Sequence, residues 1–159
     1  MIATLDIQLW HKKVRALFEY WRSIHPGSGQ LPGRAAFDPL AVHQLLPHVM
    51  LLDVVGEPPR FRYRLIGTRM VDALGADLTG CWLDEAHRHP DGTPPAFPSY
   101  VRVATQGLYD WRRGAPHFAG YLARCAELER VFLPLAADGR HVDIILAVNV
   151  FFDAAGEEI

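Results

Sequence analysis

RFRYRLIGTRMVDALGADLTG, residues 60–80, changes rhythm halfway along. From Arg60 to Ile66, arginines and large apolar residues alternate one for one, which is the period of a strand with one apolar face. After Gly67 the apolar residues Met70, Val71 and Leu74 fall at helical spacing, and Gly75 stands where a left-handed cap would close the helix. A second short pattern follows, with Leu78, Trp82 and Leu83 interrupted by Gly80. Upstream, HVMLLDVV (48–55) is apolar and partly β-branched, and GEPP (56–59) reads as a turn, so the two runs predict an antiparallel hairpin. With 56–59 as the loop, Val55 faces Arg60, Asp53 faces Arg62 and Leu52 faces Tyr63. Alternation then sets Phe61, Tyr63 and Leu65 on one face and Arg60, Arg62 and Arg64 on the other, with Arg62 paired to Asp53.

Asp38 and Pro39 form a helix start, and Leu40–Leu46 continue it to Pro47. The chain begins with an amphipathic helix: Trp10, Val14, Leu17, Phe18, Trp21 and Ile24 share one stripe, with Lys12, Lys13, Arg15, Glu19 and Arg22 on the other side. Residues 26–37 are rich in turn formers and read as a linker. Beyond the opening stretch, Thr93, Pro94 and Pro95 begin a helix through Gln106 that carries Phe97, Tyr100, Val101 and Ala104 on one stripe. PHFAGYLAR (116–124), LERVFLPLA (128–136) and HVDIILAVNVFF (141–152) then read as three strands, with Asp138-Gly139 signalling a hairpin. The order strand, strand, helices, strand, strand, strand predicts an α+β domain, a five-stranded antiparallel sheet with its helices on one face. Residues 1–25 form the preceding helix, 26–37 the linker and 38–159 the domain.

The 159 residues suffice for one core, which at this size buries about 70% of the unfolded chain's surface. Apolar residues are 50% of the chain and charged residues 21%, without the run of about 18 apolar residues that a membrane helix needs. Together with a poor signal peptide, this predicts a cytoplasmic protein that does not span a membrane. Sixteen basic residues stand against 18 acids, so no global positive field recruits nucleic acid. The lone cysteines Cys81 and Cys125 lack metal or redox spacing and fit a reduced compartment.

The quoted stretch carries a resemblance. Arg62-Tyr63-Arg64-Leu65 with Gly67-Thr68, then Asp77-Leu78-Thr79-Gly80, then Leu133-Pro134-Leu135 leading to Asp138-Gly139 and the strand Ile144-Ile145-Leu146, recur in this order in a bacterial PAS subfamily of small proteins. Phe37-Asp38-Pro39 and Leu45-Leu46-Pro47 complete the set, and the resemblance covers about residues 34–152. It implies a sensory or protein-interaction domain with a pocket between sheet and helices. It carries over no functional residues.

Under that resemblance Tyr63, Met70, Trp82, Phe97, Tyr100, His117 and Ile145 are the candidate ligand-binding residues; large rings beneath short glycine-broken helices suit an apolar cavity. His87-Arg88-His89 with Asp91 has metal-ligand residue types, but the RHPDG segment reads as an exposed turn with no third ligand placed nearby, so neither metal nor haem is expected. No GxSxG elbow, phosphate loop or dinucleotide fingerprint is present, and no enzyme is expected. The last predicted strand ends about seven residues before the final one, leaving no room for an output domain, so signalling is expected by contact with a protein partner. The stripe Trp10, Val14, Leu17, Phe18 and Trp21 must cover an apolar surface, either its own sheet or a second copy. PAS flanking helices often mediate dimers, which favours a homodimer through this helix. The expected function is a stand-alone sensor for a small apolar ligand, a protein partner or both; the alternative is a structural interaction module with a filled core.

Overall fold

The computed structural model describes residues 6–88, 91–92, 97–116 and 124–159. Five strands, β1 (Val49–Val55), β2 (Arg60–Ile66), β3 (Asp110–Gly114), β4 (Glu127–Leu135) and β5 (Ile144–Phe152), form one sheet in the order β2-β1-β5-β4-β3. Every neighbouring pair is antiparallel. Helix α1 (Lys12–Ser23) precedes the sheet, while α2 (Thr68–Leu74), α3 (Leu83–Ala86) and α4 (Pro98–Gln106) lie between β2 and β3.

The hairpin has the predicted register, Val55 opposite Arg60, Asp53 opposite Arg62 and Leu52 opposite Tyr63. Asp53 accepts from both Arg62 (3.3 Å) and Arg64 (3.1 Å). Beyond that point the alternation breaks. Leu51 pairs with Leu65 while Leu52 pairs with Tyr63, so Arg64 is an extra residue on β2. This bulge turns Leu65 away from the helices, contrary to simple alternation: it is 42% exposed, and Ile66 packs inwards instead. Gly67 then brings the chain against the start of β1, donating to Val49 O at 2.7 Å.

The helices divide between the two faces. Met70 and Ala73 of α2, Leu83 of α3 and Tyr100 and Val103 of α4 pack with the inner-face residues Met50, Leu52, Phe61, Tyr63, Ile145 and Ala147. On the outer face, Val14, Leu17, Phe18 and Trp21 of α1 and the preceding Trp10 pack on Leu133, Leu146, Val148 and their neighbours. The stripe is therefore buried against the sheet of its own chain. β4 and β5 are covered on both faces, and their central residues are buried almost without interruption.

Three local details bear on these expectations. Asp38 does cap the next segment, accepting from Leu40 N at 2.9 Å, but Pro39–His48 is a 3₁₀ helix kinked at Val42. The linker is held rather than free, because Leu31 N donates to Gly139 O and Ala136 N to Pro32 O, each at 2.9 Å. These contacts sit on a β4–β5 connection longer than a two-residue turn. β3 is Asp110–Gly114, where only Trp111 is a large apolar residue, and the strand expected at 116–124 lies over 117–123 outside the described residues.

Candidate functional site in the inner layer

The inner layer brings together four of the seven candidate residues. Tyr63, Met70, Tyr100 and Ile145 belong to one buried cluster, and Phe97 packs against its margin with its ring 5.7 Å from that of Tyr100. His117 lies outside the described residues. Trp82 does not join them. It forms a short antiparallel bridge with Arg62, and residues bridged in this way project to the same side of a sheet. Its ring consequently lies under the arginines, with the Arg60 guanidinium 4.2 Å and that of Arg62 5.3 Å from the ring centre. Arg60 is also clamped by Asp84 at 3.0 and 2.9 Å, so the arginine face is largely charge-matched.

His87 takes a place that its sequence context hid. It is only 4% exposed, its Nε2 lies 2.7 Å from the Tyr63 hydroxyl, and the two rings meet edge to face. Burial pushes the His87 imidazole below its ordinary value, so the ring is neutral near pH 7. The helical turn of α3 delivers it: His87 N donates to Leu83 O at 3.2 Å, which swings the side chain under the helix. The result is a buried, hydrogen-bonded pair beside the apolar cluster of the inner layer. His89 lies outside the described residues, and among the described residues no three histidine, cysteine or carboxylate side chains gather to hold a metal ion.

A second polar set occupies the inner face of β3, β4 and β5. Arg112, Arg130 and Asn149 are cross-strand neighbours, and Asp110 beside them accepts from Arg130 at 2.7 Å and from Arg102 at 2.5 Å. Burial opposes the Asp110 charge, yet these two guanidiniums hold its carboxyl below the usual range. Burial also pushes the adjacent Tyr100 phenol up, so it stays protonated. Asp110 and Arg112 escaped notice because their stretch was not read as a strand, and Arg130 and Asn149 because their strands were read chiefly for apolar residues.

The outer layer carries its own grooves. One of about 680 Å³ is lined by Asp6, Phe18, Trp21, Arg22, His25 and Tyr109, and a smaller one of about 290 Å³ shares Trp21, His25 and Tyr109. Both are open to solvent and lie across the sheet from the candidate residues.

The family model of the PAS domain matches residues 9–148. The chain belongs to the PAS domain family. No curated protein and no solved structure matches it. In this PAS domain the match begins ahead of α1 and ends in β5, so the outer helix is included with the sheet and α2–α4. Among the described residues, no helix is long and apolar enough to cross a membrane.

Proposed function

We propose that this PAS domain is a sensory module that holds a small, largely apolar ligand between its sheet and α2–α4 and reports that ligand by contact with a protein partner. Family membership supports the class of function. The observation that carries the ligand reading is the Tyr63–His87 pair, 2.7 Å apart and buried beneath α3. A buried hydrogen-bonded pair beside the apolar cluster is the kind of polar feature that orients a ligand, while the rings around it supply affinity. Tyr100 continues that wall, its ring stacked on Phe132 at 4.3 Å and tilted against Phe61 at 5.5 Å.

Native mass spectrometry of the purified chain tests the reading. The expected result is a mass above that of the polypeptide, lost on denaturation and much reduced in Tyr63→Phe and His87→Leu. A polypeptide mass alone, with both variants equally stable and unshifted, would leave an interaction module with a filled core.

A further inference from the structure

Resting on the ligand reading above, the polar row at the other end of the inner layer specifies the ligand's chemistry. Register sets Arg112 of β3 opposite Arg130 of β4, and Arg130 opposite Asn149 of β5. The three side chains thus cross two strand spacings, about 9–10 Å of sheet. Arg130 in the middle is well held. Its Nη1 donates to the Asp110 carboxylate (2.7 Å) and carbonyl (3.0 Å), its Nη2 donates to Ser99 Oγ (3.2 Å), and the guanidinium lies 3.9 Å from the Phe132 ring centre.

Its neighbours are not. Asn149 is 6% exposed, and its buried Nδ2 meets no acceptor. Arg112 donates through Nη2 to Ala115 O at 2.6 Å, but its Nη1 is likewise buried without an acceptor. A buried donor left unmatched forfeits its hydration with nothing in return, so two such donors flanking a third are costly unless an acceptor completes them. Charge points the same way: Arg102 and Arg130 already share the carboxylate of Asp110, and Arg112 adds a third guanidinium opposite Arg130. The neighbours along the strands are apolar, Leu128 and Phe132 on β4 and Ala147 and Phe151 on β5. An oxyanion answers the donors and the charge, and an apolar chain or ring answers the surroundings.

We infer that the inner layer binds a carboxylic acid with an apolar body, its carboxylate accepting from Asn149 Nδ2 and facing the Arg130 and Arg112 guanidiniums. The test is calorimetric titration of the purified full chain with decanoate, decan-1-ol and inorganic phosphate, repeated on Asn149→Leu and Arg112→Gln. Decanoate is expected to bind at least about tenfold more tightly than decan-1-ol, and each variant to erase about tenfold of decanoate affinity while leaving decan-1-ol unchanged. Because Asn149→Leu removes an unmatched buried amide, its thermal midpoint is expected to equal or exceed that of the parent. Equal binding of the two decyl compounds would overturn the acid assignment and leave the ligand pocket standing. Phosphate as tight as decanoate would overturn the apolar body. Binding of neither decyl compound, or a decanoate preference untouched by both variants, would overturn the site. A midpoint lowered by several degrees in Asn149→Leu would show the amide to be structurally paired and overturn it as well.

Discussion

Gly67 joins sheet to helices with no room for a side chain. Its backbone angles are ordinary for any residue, so conformational freedom does not explain it. A Cβ there would stand 2.5 Å from Pro47 O and closer still to Leu46 O, both backbone atoms that cannot swing aside. Gly67→Ala is therefore expected to destabilise the protein by about 1–3 kcal/mol, the usual range for overpacking. Chemical denaturation checks it, and an unchanged midpoint would show that this junction is loose. At such single positions the sequence was legible where a period governed the side chain, as for Phe61 and Tyr63, whose inward placement follows from alternation. It was not legible at Leu65 or Trp82. Nothing in RYRL marks Arg64 as the bulged residue, and nothing in GCWLD marks Trp82 as a bridge partner of Arg62, because both depend on the strand alongside. His87 was obscured differently, by polar neighbours that suggested an exposed turn.

Helix α1 shows the same division. Its stripe was plain, but burial of apolar surface has no direction, so the stripe alone could not choose between its own sheet and another copy. Polar contacts hold it on its own sheet here. Trp21 Nε1 donates to Pro134 O at 3.0 Å, and the fully buried Glu129 accepts from His11 N at 2.8 Å and from Trp111 Nε1 at 3.1 Å. Lys13 reaches His48 Nε2 at 3.1 Å and pairs with Glu158, which also faces His11 at 3.4 Å. Burial first, and the Lys13 charge second, push His48 below its ordinary value; burial also lowers His11 against the opposing pull of Glu158 and Glu129. A histidine with a depressed native value contributes stability in full above its unfolded value of about 6.5 and loses it as pH falls through the native value. Urea midpoints are thus expected to fall between pH 7.5 and 5.5, and His48→Asn to flatten that dependence; an equally steep profile in the variant would remove His48 as the source. The strand β3 was hidden for a related reason. Asp110 and Arg112 face the inner layer while Trp111 packs outwards, so DWRRG shows none of the apolar alternation that reveals a half-buried strand.

Taken whole, the molecule is one sheet between two layers that share no other wall. Overall topology was readable because the hairpin, the glycine-broken helices and the apolar strands β4 and β5 each carry a strong local period. The two-sided covering of those strands appears in the sequence only as unbroken apolar runs. Native-state hydrogen exchange is expected to rank the amides accordingly, with β5 and β4 slowest and the edge strands β2 and β3 faster; a β2 that outlasted β5 would contradict a shared central wall. The covering also ties the two sides together at one point. Glu129 and Arg130 are consecutive on β4, one seating the amino end of α1 and the other standing at the centre of the inner polar row. A peptide unit is planar and stiff, so a rotation of β4 that re-aims one of these side chains re-aims the other. In mechanical terms β4 is a common beam, and the seat of the outer helix cannot be set independently of what the inner arginine holds.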